Sequence, residues 1–268
     1  NSGGCVGFAD LDGDSYDDLI ILDQSRVLHT LYQAPNGTFT DFNLGNVSGS
    51  SQWGMCVGDF DNDGHKDVFS GGAYDGVHLM HISAPGQGNL QSLGNGSMFM
   101  QACNMADIDQ DGVLDVFACH DDAVSRLWKG DEAGALNNNQ ALMPLTSYDT
   151  GGYSNTDHSG NYGSVWTDFD RDGDIDLYIA KCRQFVNDPQ DPRRVNQLWV
   201  NDGEGNYTEE ASERGLVFFE QGWTADFADI DNDGDFDCLV TNHSATLLLL
   251  ENDGTGNFTD ITAGSVLK

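Results

Sequence analysis

The sequence predicts an all-β protein, a β-propeller of four-stranded antiparallel blades, five blades in all, on three observations. An acidic string of nine residues occurs five times. Its first aspartate falls at 10, 59, 107, 168 and 229, giving intervals of 49, 48, 61 and 61 residues, and a self-similar period of that length marks propellers and solenoid arrays. Between the strings lie short β-branched or aromatic runs bounded by glycine, and four such antiparallel strands make one blade.

The fourth unit shows the pattern most fully, with strands expected at 163–167, 177–181, 197–201 and 206–210. The fifth repeats it at 224–228, 239–241, 246–250 and 257–261, and Asn-Asp-Gly-x-Gly-Asn marks the last turn of both. Each acidic string then becomes the connection between the first and second strands. The repeats run approximately over 1–48, 49–97, 98–158, 159–219 and 220–268, and together they form a single domain over 1–268.

The strings themselves point to a hard cation. Carboxylates stand at positions 1, 3, 5 and 9: Asp10, Asp12, Asp14 and Asp18; Asp59, Asp61, Asp63 and Asp67; Asp107, Asp109, Asp111 and Asp115; Asp168, Asp170, Asp172 and Asp176; Asp229, Asp231, Asp233 and Asp237. The backbone carbonyls of Tyr16, His65, Val113, Asp174 and Asp235 at position 7 complete an all-oxygen shell of the kind calcium takes. Up to five Ca2+ ions are expected. Position 6 is a sharp turn, met by Gly64, Gly112, Gly173 and Gly234. Ser15 departs from this, so the first site is expected to be the weakest. An EF-hand would need an acidic residue at position 12, where this chain has Ile21, Ser70, Ala118, Ile179 and Val240. Nor are these plain surface turns, because four carboxylates crowded into one turn repel one another unless a cation joins them.

With these strings and four-strand units, the chain resembles the FG-GAP/VCBS repeat family, the calcium-binding β-propellers of integrin α-subunit heads and cartilage acidic protein-like secreted proteins. The resemblance implies a non-catalytic extracellular adhesion, recognition or scaffold module. Family propellers usually have seven blades, so the alternatives are a closed five-bladed ring and part of a seven-bladed propeller. Closure is expected because the sequence begins at a first strand and stops just after a fourth.

The formal charge of −33 would become −23 with five bound calcium ions, and twenty of the 44 acidic residues sit at ligand positions. What remains argues against nucleic acid or an anionic membrane surface as partner. No apolar run reaches the roughly 18 residues of a spanning helix, so no membrane insertion is expected, and the chain reads as a mature domain. An extracellular setting, secreted or at the cell surface, suits calcium sites that fill at ~0.1 to 1 mM. It also suits six glycosylation sequons, at Asn36, Asn46, Asn95, Asn206, Asn242 and Asn257. If positions 1 and 9 of the third string face each other, Cys103 and Cys119 lie directly across the hairpin, and a disulfide between them is expected. Cys5, Cys56, Cys182 and Cys238 have no such match.

The longest insertions, 137–161 and 183–195, both belong to the end opposite the acidic strings, where loops on a rigid scaffold carry binding residues. Lys181, Arg183, Arg193 and Arg194 concentrate four of eleven basic residues there, beside Tyr148, Tyr153, His158 and Tyr162. Tyr153, His158, Arg183, Arg193 and Arg194 are the candidate contacts to a protein or glycan ligand, or to another copy of the chain. Trp53, Trp128, Trp166, Trp199 and Trp223 are expected to pack within blades. No Gly-x-Ser-x-Gly elbow, His-Glu-x-x-His or glycine-rich phosphate loop occurs, so no enzyme is expected. Two other functions fit the same residues: a subunit of an extracellular filament assembled head to tail, and a carbohydrate-binding or polysaccharide-degrading propeller.

Overall fold

A computed structural model describes residues 4–145, 159–183, 185–243 and 245–264. It is built of five four-stranded antiparallel sheets in which sequential strands are neighbours. The first holds β1 (Cys5–Ala9), β2 (Asp18–Leu22), β3 (Val27–Gln33) and β4 (Phe39–Asn46). The second holds β5 (Gln52–Gly58), β6 (Asp67–Gly72), β7 (Val77–Ala84) and β8 (Gln87–Gly94). In the third are β9 (Met100–Ala106), β10 (Asp115–His120), β11 (Arg126–Lys129) and β12 (Asn137–Asn138). The fourth comprises β13 (Asn161–Thr167), β14 (Asp176–Lys181), β15 (Gln197–Asn201) and β16 (Tyr207–Glu209). The fifth comprises β17 (Gly222–Ala228), β18 (Asp237–Asn242), β19 (Leu248–Asn252) and β20 (Phe258–Asp260). Five sheets of this order are the blades that the repeat predicted.

The chain divides into two compact units. One comprises 1–107, 111–118 and 127–139; the other comprises 108–110, 119–126 and 140–268. In the first, β1 lies along β5 and β5 along β9; in the second, β13 lies along β17. Second strands such as β6, β10 and β14 are buried along their whole length, which their near-continuous apolar sequences require. β8 is exposed along almost all of its length. The first unit packs Phe60, Phe69, Leu79, Met100 and Trp128 into one core cluster and Leu11, Ile20, Leu22 and Met80 into another. The second packs Phe169, Tyr178, Leu198, Val240 and Leu250.

Register explains two departures from expectation. In four sheets the residue before position 1 pairs with position 9: Ala9 with Asp18, Gly58 with Asp67, Thr167 with Asp176 and Ala228 with Asp237. The turn is thus one residue longer on its N-terminal side than a pairing of positions 1 and 9 assumes. Carried to the third loop, which has the same length, this register sets Cys103 against Ala118 and turns Cys119 to the other face. The Cys103–Cys119 disulfide is accordingly not formed, and no disulfide links cysteines among the described residues. The second departure concerns tryptophan. Trp128 and Trp199 are buried as expected, but Trp53 and Trp223 are 38 % and 48 % exposed. Both, like Tyr162, are the extra residue of a register shift at the start of the first strand, and a β-bulge re-aims its side chain.

Candidate metal centres

Four of the acidic strings close as a loop around the first carboxylate, Asp10, Asp59, Asp107 or Asp229. Gly13, Asp14 and Ser15 donate their amides to Asp10 at 2.8, 3.1 and 2.9 Å. Asp63 and Gly64 donate to Asp59 at 3.1 and 3.0 Å, and Asp111 and Gly112 to Asp107 at 2.9 Å each. Gly234 donates to Asp229 at 3.2 Å. Position 5 then accepts the amide of position 7, in Asp14, Asp63, Asp111, Asp172 and Asp233, at 2.8 to 3.3 Å. These bonds shape the turn before any ion arrives.

The tight path requires two left-handed residues. Position 6 has φ of 90°, 87°, 99° and 99° at its four glycines, and Ser15 adopts 73° in their place. Position 4 is left-handed as well, at Gly13, Asn62, Gln110, Arg171 and Asn232. The first loop therefore keeps its glycine, shifted by two places.

Position 9 belongs to the scaffold as much as to the loop. Asp18 is fully buried and accepts the amides of Leu11 and Gln33 at 2.9 and 2.8 Å. Asp67 accepts Phe60 and Ile82, and Asp237 accepts Ile230 and Asn252. Asp115 and Asp176 accept Gly130 and Asn201. One carboxylate thus ties each loop to the third strand of its sheet.

The remaining carboxylates converge. Three-residue groups whose ligand atoms all lie within 4.8 Å of one another form in four of the loops: Asp10, Asp12 and Asp18; Asp59, Asp61 and Asp63; Asp107, Asp109 and Asp115; Asp168, Asp170 and Asp172. Convergence leaves oxygens buried without a hydrogen-bond partner: Oδ1 of Asp12, Asp168, Asp170, Asp174 and Asp235, and Oδ2 of Asp176. A buried oxygen left so costs about 1–3 kcal/mol, more when charged, and a divalent cation removes that cost for several at once. The donor set is all oxygen in these groups, which suits a hard ion.

Electrostatics agrees. Burial raises the carboxyl of Asp176 to about 8, against the Asn201 amide that lowers it, with Asp170, Asp174 and Asp172 adding repulsion. Asp174 rises to about 6 through desolvation and the charges of Asp172, Asp170 and Asp168. Asp18, Asp170, Asp231 and Asp235 are also raised. Asp111 moves the other way because the Lys129 ammonium holds it.

Basic residues from outside the loops complete the surroundings, and the sequence alone did not single them out for this role. His81 on β7 sets Nδ1 3.3 Å from Asp67 and 3.8 Å from Asp61. Lys129 at the end of β11 reaches Asp111 at 2.7 Å. Arg214 stands 3.6 Å from Asp170 and is shared with Glu210 at 3.0 Å. The hairpin between third and fourth strands also leans on a neighbouring loop: a Cβ at Gly256 would meet Asp170 and Phe169 at 2.8 Å, and one at Gly134 would collide with Asp61. Both glycines have φ of 79°, so each serves turn and close approach together.

The proposed contacts at the other end are differently placed. Tyr148, Tyr153 and His158 lie outside the described residues. Lys181 is fully buried rather than part of a surface patch. Arg193 grips Asp191 through two bonds of 2.8 and 2.6 Å. Arg183 is held by Asp121 and Asp122, and Arg194 by the carbonyls of Val186 and Phe219. Among the sequons, Asn36, Asn46, Asn206 and Asn257 are exposed, whereas Asn95 and Asn242 are half-buried.

A family model for the FG-GAP-like repeat matches residues 10–70, 59–118 and 168–240. These segments cover more than half of the 268 residues and include all five loops in full, and the chain belongs to the FG-GAP repeat family. No curated protein matches it.

Proposed function

We propose that this chain is a non-catalytic, calcium-loaded recognition or adhesion module that works outside cells and takes a protein or glycan partner. The observation that carries this reading is the fourth loop, where Asp168, Asp170, Asp174 and Asp176 each present a buried oxygen without a hydrogen-bond partner. Calcium supplies what those oxygens lack, and a set of sites of millimolar class fills in extracellular fluid. A binding rather than a chemical role is supported by the thiols: burial raises those of Cys5 and Cys182 to about 11 and of Cys119 to about 12, far from the thiolate that reacts. Among the described residues no helix is long and apolar enough to cross a membrane.

A partner surface is offered by the bulge aromatics. Trp53 packs edge-on to Phe99, which also meets Tyr74; in the other unit Trp223 stacks on His243 and meets Tyr162. Head-to-tail assembly through Arg193 and Arg194 draws no support from their geometry, since Asp191, Val186 and Phe219 already hold them. Native mass spectrometry with a melting curve tests the calcium reading. Several calcium ions per chain and a sharp fall in Tm with EDTA are expected, each site held at ~100 times its Kd adding about 2.7 kcal/mol. A melting curve indifferent to EDTA overturns it.

A further inference from the structure

In all five sheets the third strand, or the residue just after it, sends one amide to the position-9 carboxylate, from Gln33, Ile82, Gly130, Asn201 and Asn252 at 2.8 to 2.9 Å. The residue just before each donor is Tyr32, His81, Lys129, Val200 or Glu251. Two of these touch their loop directly: His81 approaches Asp61 and Asp67, and Lys129 sets Nζ 2.7 Å from Asp111 Oδ2. The lysine is the consequential one. Asp111 Oδ1 is taken by the Val113 amide at 3.0 Å, so Oδ2 is the oxygen that this residue has left for an ion, and the ammonium sits on it. Asp14, Asp63, Asp172 and Asp233 accept the same amide on Oδ1. Among the described ion pairs none of their second oxygens is held by a lysine or arginine.

We propose that Lys129 is a tethered counter-ion of the third loop, holding the oxygen through which Asp111 would bind calcium, so that calcium enters this loop only by displacing the ammonium. The inference rests on the calcium reading above. An ammonium and a divalent ion compete for one charge-assisted position, and the lysine offsets one of the loop's four negative charges. Displacement is reversible because the pair is partly open to water, with side-chain exposures of 31 % and 37 %, and the flexible four-carbon stem lets the ammonium swing outward. Two consequences follow: the third loop responds at higher calcium than it would without the lysine, and filling it presents a free amine at the surface.

The test pairs calcium titration with amine labelling. Lys129→Met keeps the stem and removes the charge, and it is expected to tighten one calcium site about tenfold, whereas Lys129→Arg leaves that site weak. Combined with Asp109→Ala, which disables the third loop, Lys129→Met should have no effect on the remaining sites. In the unmodified chain, acetylation of Lys129 by a soluble reagent should rise on adding calcium, read by peptide mass spectrometry. A chain that binds calcium at its other loops but shows neither tightening nor a calcium-dependent change in labelling overturns this inference alone. A chain that binds no calcium at millimolar concentration overturns the calcium reading, and this inference with it.

Discussion

The first and fourth acidic loops carry aspartate at the same four positions and cope with the crowding in different ways. In the first, three amides converge on Asp10 and two on Asp18, and the unpartnered buried oxygen is Asp12 Oδ1. In the fourth, Asp168, Asp170, Asp174 and Asp176 all have such an oxygen, and position 7 adds a fifth carboxylate. The backbone thus does for the first loop part of what an ion would do for the fourth. A shared motif specifies where an ion could sit; the burial around it specifies how much the fold would gain from that ion.

The largest expected effect separates the two loops directly. In millimolar calcium, Asp170→Ala should destabilise by about 2.7 kcal/mol if its site is held at ~100 times Kd, and Asp12→Ala by roughly half of that or less. Thermal melts with and without EDTA check it: equal losses would erase the distinction, and a larger loss for Asp12→Ala would reverse it.

A pH series sharpens the same contrast. In EDTA, Asp176 and Asp174 have folded-state values raised to about 8 and about 6, above the roughly 3.9 of an unfolded aspartate. A carboxyl raised in this way binds its proton more tightly in the folded chain. Its contribution is fully present below about pH 4 and is lost as pH rises through about 6 and then about 8. The ion-free protein should therefore melt higher near about pH 5 than about pH 8.5. With calcium bound the order should invert, because the ligands must be ionised. Asp176→Asn should flatten the EDTA series.

The smallest effect concerns the left-handed serine. Ser15 at φ 73° occupies a region costly for a residue with a Cβ, so Ser15→Gly should stabilise by about 1 kcal/mol, less glycine's entropy in the unfolded chain. No gain in chemical denaturation would show that the three amides on Asp10 already hold the turn without strain.

Much of this could be read locally. The strand runs and their spacing led to the five sheets, and the spacing of aspartates led to the loops, because both signals lie within a dozen contiguous residues. What escaped was set across the sheets. The pairing of Ala9 with Asp18 instead of position 1 with position 9 decides that Cys103 and Cys119 do not meet, and no residue in the string announces it. The bulges that turn Trp53 and Trp223 outward depend on the neighbouring strand. Lys129 lies 18 residues beyond Asp111, and only the hairpin brings them together. The left-handed fourth position had a partial local sign, since Asn62 and Asn232 tolerate that backbone, but Gln110 and Arg171 concealed it.

The carbonyl of position 2 carries one more consequence. Leu11 O accepts the amide of Lys66, Ile108 O the hydroxyl of Tyr207, and Phe169 O the side-chain amide of Asn252, each from the sheet that follows in sequence. Every one of these loops is therefore latched from its C-terminal side by its successor. Coupling of this nearest-neighbour kind makes stability a chain of local terms with a direction. A loop that loses its ion loosens the latch it offers to the next sheet, so amide exchange should quicken downstream of the vacated loop before it quickens upstream. Unfolding would then travel along the sequence as a zip opened from one end.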